Sequence, residues 1–480
     1  MLALVKRRMT GAADGGDSRQ IPVHDGLPGR TVGHILDEAP TSRFHRRAVV
    51  ISGMGFFTDA YDLFVIATVA TLVKSQWHLD ANQTSWVSGS AILAAFFGAL
   101  VFGRIADVLG RKAVYTVVAA IMIVGAVASA LAPDFIALVV ARFVLGLGVG
   151  GDYPVSAVLM SEYSNRRDRG RLVGLVFSMQ AAGLIIGPLV ALILLASGIS
   201  HELTWRILLG LGAVPATAVV YLRSKMPESP RFQAQVQGRA ARAAQDLHAF
   251  AGGALDAADA ADDTSRHMGL AQFLRNRRML KLMVATAGTW FLFDYAYYGN
   301  TLSLPTILKD VSPHAGVELK LVWSLAIFVV FALPGYLLAV ARMDRFGHRR
   351  LQLVGFGVSY LFTEFGPNTT TFVLPSEVFP VNMRTTGHGI AAGIGKLGAF
   401  IGVFLVPHLQ SSIGLRGMLL VAGAAAAVGI LLTLLLPEPA GRTLEDVSGQ
   451  DTGRVILMQA SGVDGGEPVA EASARAARPA

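Results

Sequence analysis

Gly150-Gly151-Asp152-Tyr153-Pro154, continued by Ser161-Glu162-Tyr163 and closed by Arg166-Arg167-Asp168-Arg169-Gly170-Arg171, puts an acid inside a long apolar segment that ends in a cluster of arginines. A carboxylate at bilayer depth is expensive, and so marks a functional site. Arginines directly after an apolar run mark the cytoplasmic end of a transmembrane helix. The rest of the chain has the same texture. Its 480 residues are 53% hydrophobic and only 15% charged, and the mean hydropathy is +0.51. Many of its apolar runs are long enough to cross a bilayer. The fold class is an all-α polytopic membrane protein.

The excess of 41 Lys+Arg over 33 Asp+Glu does not point to nucleic acid. The basic residues cluster in short connections between apolar runs, which is the pattern of positive-inside topology. With no cysteine, the chain has no disulfide, no thiolate metal site and no Cys nucleophile. No metal cluster, nucleophile–base pair or cofactor motif stands out, so an enzyme is not expected and neither is a metal or cofactor. The opening MLALVKRRM is too short an apolar run for a signal peptide, leaving the first span as the insertion signal.

Spans are expected near 48–74, 84–106, 113–132, 134–160, 170–198 and 204–222, which form a six-helix bundle over 48–222. Arg104, Arg111, Lys112 and the arginines from Arg166 to Arg171 follow spans two and four. They place those connections, and the polar arm 1–47, on the cytoplasmic side of a plasma or bacterial inner membrane. Residues 223–281 read as a cytoplasmic linker with an acidic patch from Asp256 to Asp263. A second bundle, 282–436, has spans near 282–304, 318–341, 385–411 and 416–436, and a polar tail follows over 437–480.

Asp107-x-x-Gly110-Arg111-Lys112 after span two is echoed by Asp344-x-x-Gly347-His348-Arg349-Arg350 in the second half. This repeat resembles the loop found in both halves of major facilitator transporters. Taken with Gly150 to Arg171, it makes the chain similar to the phosphate:proton symporter family of that superfamily. The resemblance implies two bundles with a site between them near the midplane.

The same repeat is unequal. Asp107 and Glu162 are 55 residues apart, whereas Asp344 and Glu377 are 33 apart, a shortfall of roughly one helix. LQLVGFGVSY (351–360) resembles the start of the family's ninth helix, and LFTEFGPNTTTFVLP (361–375) the inner part of its tenth. Fusing them predicts one helix over about 351–375, kinked at Gly366-Pro367, and eleven spans in place of twelve. Positive-inside logic disagrees, because Arg349-Arg350 and Arg384 both belong in the cytoplasm and a single crossing separates them.

Polar residues within the apolar runs carry the chemistry. Trp290, Asp294 and Tyr298 recur at i, i+4 and i+8 and share one helix face. Asp59 and Asp62 lie three apart in GFFTDAYDLF, Asp152 and Tyr153 sit in span four, Gln180 in span five, Asn368 in GPNTTTF and Lys396 in GIGKLGAF. By resemblance, Tyr153, Gln180, Trp290, Asp294, Tyr298 and Asn368 contact inorganic phosphate, and Lys396 offsets its charge. Asp59, Asp62, Asp152 and Asp294 carry or relay protons. Asp107, Arg111, Arg142, Glu162, Asp344, Glu377 and Arg384 are expected to hold gates or helix ends.

Plainer readings stand beside these. Asp294 has a structural partner available in Lys396 or Arg142, and one of Asp59 and Asp62 can merely orient the other. Gly146-x-Gly148-x-x-Gly151 spells a dinucleotide fingerprint, but it follows no strand and lies in a membrane helix, where close helix packing explains it. A symporter of another small substrate, such as an organic acid or sugar, is one alternative. A phosphate sensor that does not transport, or a truncated and inactive transporter, is another.

Overall fold

The computed structural model describes residues 31–224, 226–251, 268–302, 316–355 and 363–449. The acidic patch from Asp256 to Asp263, most of the N-terminal arm and the tail beyond residue 449 lie outside them. A short helix, α1 (Val32–Glu38), precedes six long ones: α2 (Arg43–Trp77), α3 (Ala81–Leu109), α4 (Arg111–Ala130), α5 (Phe135–Tyr163), α6 (Arg169–Ala196) and α7 (His201–Ser224). At 1.5 Å per residue these reach about 30–50 Å, enough to cross a bilayer. Polar caps set the tight turns between them. Asp80 accepts from Gln83 N at 2.7 Å to start α3, and Asp134 accepts from Ala137 N at 2.9 Å to start α5.

Three short helices follow, α8 (Pro230–Gln235), α9 (Ala240–Ala251) and α10 (Leu270–Arg275), and then the second bundle begins. It contains α11 (Arg277–Leu302), α12 (Val317–Phe346), α13 (His348–Gly355), α14 (364–378), α15 (Arg384–Leu405) and α16 (Arg416–Thr433), and the short α17 (Leu444–Ser448) comes last. Among the described residues nine helices are long and apolar enough to span, α11 not among them. Its 26 residues suffice in length, but the polar groups of its site face dilute its hydropathy. Two π-helical turns accompany prolines, which cannot donate to the helical ladder. Phe328–Ala332 precedes Pro334, and Glu364–Asn368 contains Pro367.

Close helix contact explains the glycine spacing. A Cβ on Gly146 would fall 2.1 Å from the carbonyl oxygen of Ala91 in α3, and one on Gly148 2.7 Å from that of Val118 in α4, so the apparent fingerprint is where α5 packs against α3 and α4. The two bundles meet in the same manner where α3 crosses α15, at Gly103 and Gly389.

The basic ends of the bundles are locked together. Arg111 reaches Asp107 at 3.0 Å and Glu162 at 3.3 Å, and Arg384 of the second bundle reaches the same Glu162 oxygen at 3.2 Å. Asp107 accepts from Thr386 N and Oγ1, both at 2.6 Å, and Asp344 accepts from Arg171 N at 2.7 Å. These contacts bring Asp107, Arg111, Glu162, Asp344 and Arg384 to one face, as the paired motifs predict. The segment between the bundles folds back onto it: Arg231 of α8 binds Asp37 and Glu445, each at 2.7 Å, and Glu228 accepts from the backbone of Arg111 and Lys112. Burial alone would raise the Glu445 carboxyl, but Arg231 and Arg384 outweigh it and hold it at about 2.

Arg142 does not join this lock. It lies twenty residues before Glu162 on α5, about 30 Å along the helix, and donates from Nη2 to the backbone oxygen of Asp62 at 2.8 Å. It fastens α5 to α2 within the first bundle, the structural side of the expectation for Arg142.

The single helix expected over 351–375 is corrected. His348 Nδ1 lies 2.9 Å from Glu377 Oε2, so both ends of the segment are on the basic face. α13 packs alongside the π-helical turn and Thr369–Val373 of α14, which a continuous helix could not do. The described parts on either side of 356–362 therefore lie side by side, with both outer ends of the segment on the basic face. The positive-inside pattern, which asks for both ends of the segment on one face, was the sounder guide. Burial alone would keep His348 neutral, but Glu377 and Asp344 outweigh it and push the imidazole up from 6.5 to about 10. The raised value means that the imidazolium clamp is complete below the unfolded value of 6.5 and is lost as pH rises through about 10.

Candidate functional site

Midway along the bundles a chain of polar groups runs from one bundle into the other. Lys396 of α15 lies 2.9 Å from Asp294 Oδ2 and donates to Tyr298 OH at 3.0 Å, both on α11. The same ammonium stands 4.6 Å from the ring centroid of Tyr153 and 4.3 Å from that of Tyr298. Tyr298 OH meets Tyr153 OH at 3.5 Å, and Gln180 Nε2 donates to Tyr153 OH at 3.4 Å. From there Tyr336 OH donates to Gln180 Oε1 at 2.8 Å, Asn368 Nδ2 donates to Tyr336 OH at 2.8 Å, and Asn368 also donates to Glu364.

Helix geometry explains the convergence. Asp294 and Tyr298 are one turn apart on α11, as are Glu364 and Asn368 on α14. The hydrogen-bond ladder of α6 is interrupted at Met179, which keeps right-handed helical angles, and Gln180 beside it is buried. Trp290, one turn before Asp294, is buried edge-on to His388 at 5.5 Å and tilted against Tyr153 at 6.3 Å. Phe372 stacks on Phe177 at 4.7 Å and walls the same space. Every expected phosphate contact, Tyr153, Gln180, Trp290, Asp294, Tyr298, Asn368 and Lys396, is at most 4% exposed. The structure brings all seven together. Of the two structural partners open to Asp294, it selects Lys396 over Arg142.

The four expected proton carriers divide into different settings. Asp294 is paired with Lys396. Asp152 is paired with Arg223 at 2.6 Å, and the guanidinium lies 3.5 Å over the Tyr115 ring. Asp59 and Asp62 are fully buried, and neither carboxylate oxygen of either accepts a hydrogen bond. Asp59 lies within electrostatic reach of Asp152, Arg223, Asp62 and Lys396. Among the described residues no cluster of His, Cys, Asp and Glu could hold a metal.

Three participants were not picked out from the sequence, two of them because it carries no signal for them. Arg223 sits at the end of the sixth span, where it looks like an ordinary cytoplasmic flank. Tyr336 lies in ALPGYLLAV, where an aromatic in an apolar run carries no signal. Glu364 was legible, because a carboxylate one turn before Asn368 in an apolar segment carries the same intramembrane signal as Asp152.

The sugar (and other) transporter family matches residues 48–363 and 350–449 of this chain. Inorganic phosphate transporter 1-11 of Oryza sativa subsp. japonica is 34% identical over 511 residues, covering 89% of this chain and 91% of the relative. Low affinity inorganic phosphate transporter 4 of Medicago truncatula is 34% identical and covers 88% of this chain and 95% of its own length. Among solved structures, a major facilitator proton:xylose symporter superposes with a TM-score of 0.70 at 19% identity, over 85% of this chain and 98% of that one. The partially occluded inward-open xylose transporter from E. coli gives 0.63 at 19% identity, over 83% and 99%. These solved structures share the fold.

Proposed function

Because this chain belongs to the sugar (and other) transporter family of the major facilitator superfamily, among the inorganic phosphate transporters, we propose that it imports inorganic phosphate together with protons by alternating access. The observation that carries this reading is the buried Lys396–Asp294 pair at 2.9 Å, ringed by neutral donors between the bundles. A lysine already neutralised by an aspartate offers an incoming anion little. Protonation of Asp294 removes that competitor and leaves the ammonium for the anion, so binding the anion requires binding a proton. Tyr153, Tyr298, Trp290, Gln180 and Asn368 donate hydrogen bonds without adding charge, which keeps the anion releasable.

Alternating access needs a two-state lock at each end. The Asp107, Arg111, Glu162 and Arg384 cluster serves as the inner one, with the basic face cytoplasmic. The arm 1–47, the linker 223–281 and the tail 437–480 lie on that side, and the bundles 48–222 and 282–436 rock about the site. Asp59, Asp62 and Asp152 form the proton route along α2 and α5. The membrane is the plasma membrane or a bacterial inner membrane.

Selectivity follows from the proton. Phosphate near neutral pH retains a P–OH that can donate to a carboxylate, whereas sulfate leaves the carboxylate unpaired beside like charge. Arsenate, which shares the shape and protonation states of phosphate, is expected to inhibit labelled-phosphate uptake, and sulfate at the same concentration is not. Equal inhibition by the two would refute the carboxylate-based selection.

A further inference from the structure

Glu364 is fully buried, and the proton chemistry above does not use it. It ends the polar chain whose other end is Asp294, but the two acids have different surroundings. Asp294 has Lys396; Glu364 has only neutral partners. Asn368 from its own helix donates to Oε2, Tyr336 of α12 bonds the same amide, and Tyr297 and Tyr298 of α11 face it. α13 packs against the same turn, but its basic residues are engaged elsewhere. His348 binds Asp344 and Glu377, Arg349 donates to the carbonyl of Leu434, and Arg350 is exposed. Among the described residues no Lys, Arg or His forms an ion pair with Glu364, although twelve such pairs exist elsewhere.

A carboxylate sealed from water without a cation is costly as an anion and tolerable as a neutral acid. The same isolation gives Glu364 a proton that no salt bridge competes for. A hydrogen-bonded path through Asn368, Tyr336, Gln180, Tyr153 and Tyr298 links it to Asp294, and in the reading above phosphate occupies the middle of that path.

We propose that Glu364 is a second proton-binding acid of the substrate site, carrying a proton with each phosphate independently of Asp294. The inference rests on the phosphate reading. In the loaded state the protonated carboxyl donates to a phosphate oxygen or to Asn368 Oδ1. When the basic face opens and water reaches Glu364, the O–H bond breaks, the proton passes to water, and the carboxylate is left hydrated. Phosphate leaves in the same step, because the carboxylate now repels it. No redox partner or further co-reactant is required.

The test measures protons taken up per phosphate bound to the purified, full-length protein. Titration calorimetry with inorganic phosphate is repeated at one pH in buffers of different ionisation enthalpy. The phosphate-free protein opens its basic face and holds Glu364 hydrated and ionised, so wild type and Glu364→Gln are expected to differ by one proton on binding, with Glu364→Asp matching wild type because it keeps the acid. Phosphate's own ionisation is common to all three and cancels. An equal proton count for wild type and Glu364→Gln, both binding phosphate, overturns the proposal. So does loss of phosphate binding in both variants while each remains folded by circular dichroism, which would make Glu364 a ligand held by its geometry. Wild type that binds no phosphate overturns the substrate reading instead, and is distinguished by that control.

Discussion

Asp294→Asn is expected to abolish accumulation of phosphate driven by a pH gradient while leaving phosphate–phosphate exchange measurable. The amide is nearly isosteric, but it cannot accept the proton that frees Lys396, and it leaves that ammonium unpaired at all times. An anion entering the site then meets a free cation, so binding is retained or tightened, and coupling is lost. A proton-transfer group of this kind contributes about 10²–10⁴-fold to the step it serves, so gradient-driven uptake should fall by at least about 100-fold. Uphill uptake and exchange measured in the same vesicles separate coupling from binding. Wild-type uphill uptake in the variant would remove Asp294 from the coupling mechanism.

The second large effect belongs to Glu162→Gln. One carboxylate oxygen accepts from Arg111 of the first bundle and Arg384 of the second, and the other accepts from Ser229. Both guanidinium groups are fully buried, so removing the charge leaves two buried arginines with Asp107 as the remaining acid of the lock. Breaking a buried pair from one side costs about 3–5 kcal/mol. That energy is lost only while the basic face is closed, since open arginines are hydrated. The closed population should therefore drop by about 100-fold or more relative to the open one. The chain has no native cysteine, so a single Thr385→Cys beside Asp107 reports the gate without background. Its alkylation by a membrane-impermeant maleimide should accelerate strongly in the Glu162→Gln background. An unchanged rate would show that Glu162 does not hold the closed state.

The fold was legible wherever the cost of burying charge left a mark in the sequence. Asp152, the Trp290/Asp294/Tyr298 face and the Asp107 and Asp344 turns could be read because polar residues in apolar runs, and basic residues after them, are restricted by the bilayer itself. Partnerships were less legible. Asp152 was read as a proton carrier without its partner: Arg223 arrives from 71 residues downstream, and no local pattern announces a contact of that range. Arg142 and Glu162 share a helix and looked alike, and only their separation along its axis assigns them to different places. The shortened segment showed the limit of counting. Its length allowed one crossing, its charges demanded two ends on one face, and the His348–Glu377 contact decides for the charges. We propose that the outer halves of two helices are missing from the second bundle, while the inner halves that carry Asn368 and Glu364 to the site remain.

That loss bears on whether the protein transports phosphate or only binds it, so the most direct measurement is accumulation. Purified protein in sealed proteoliposomes, given labelled phosphate with and without an inward proton gradient, should concentrate phosphate against its own gradient only when the outside is more acidic, and a protonophore should collapse the accumulated pool. Phosphate binding to the same preparation without accumulation under any gradient would contradict proton-coupled transport and identify a sensor or an inactive, shortened relative.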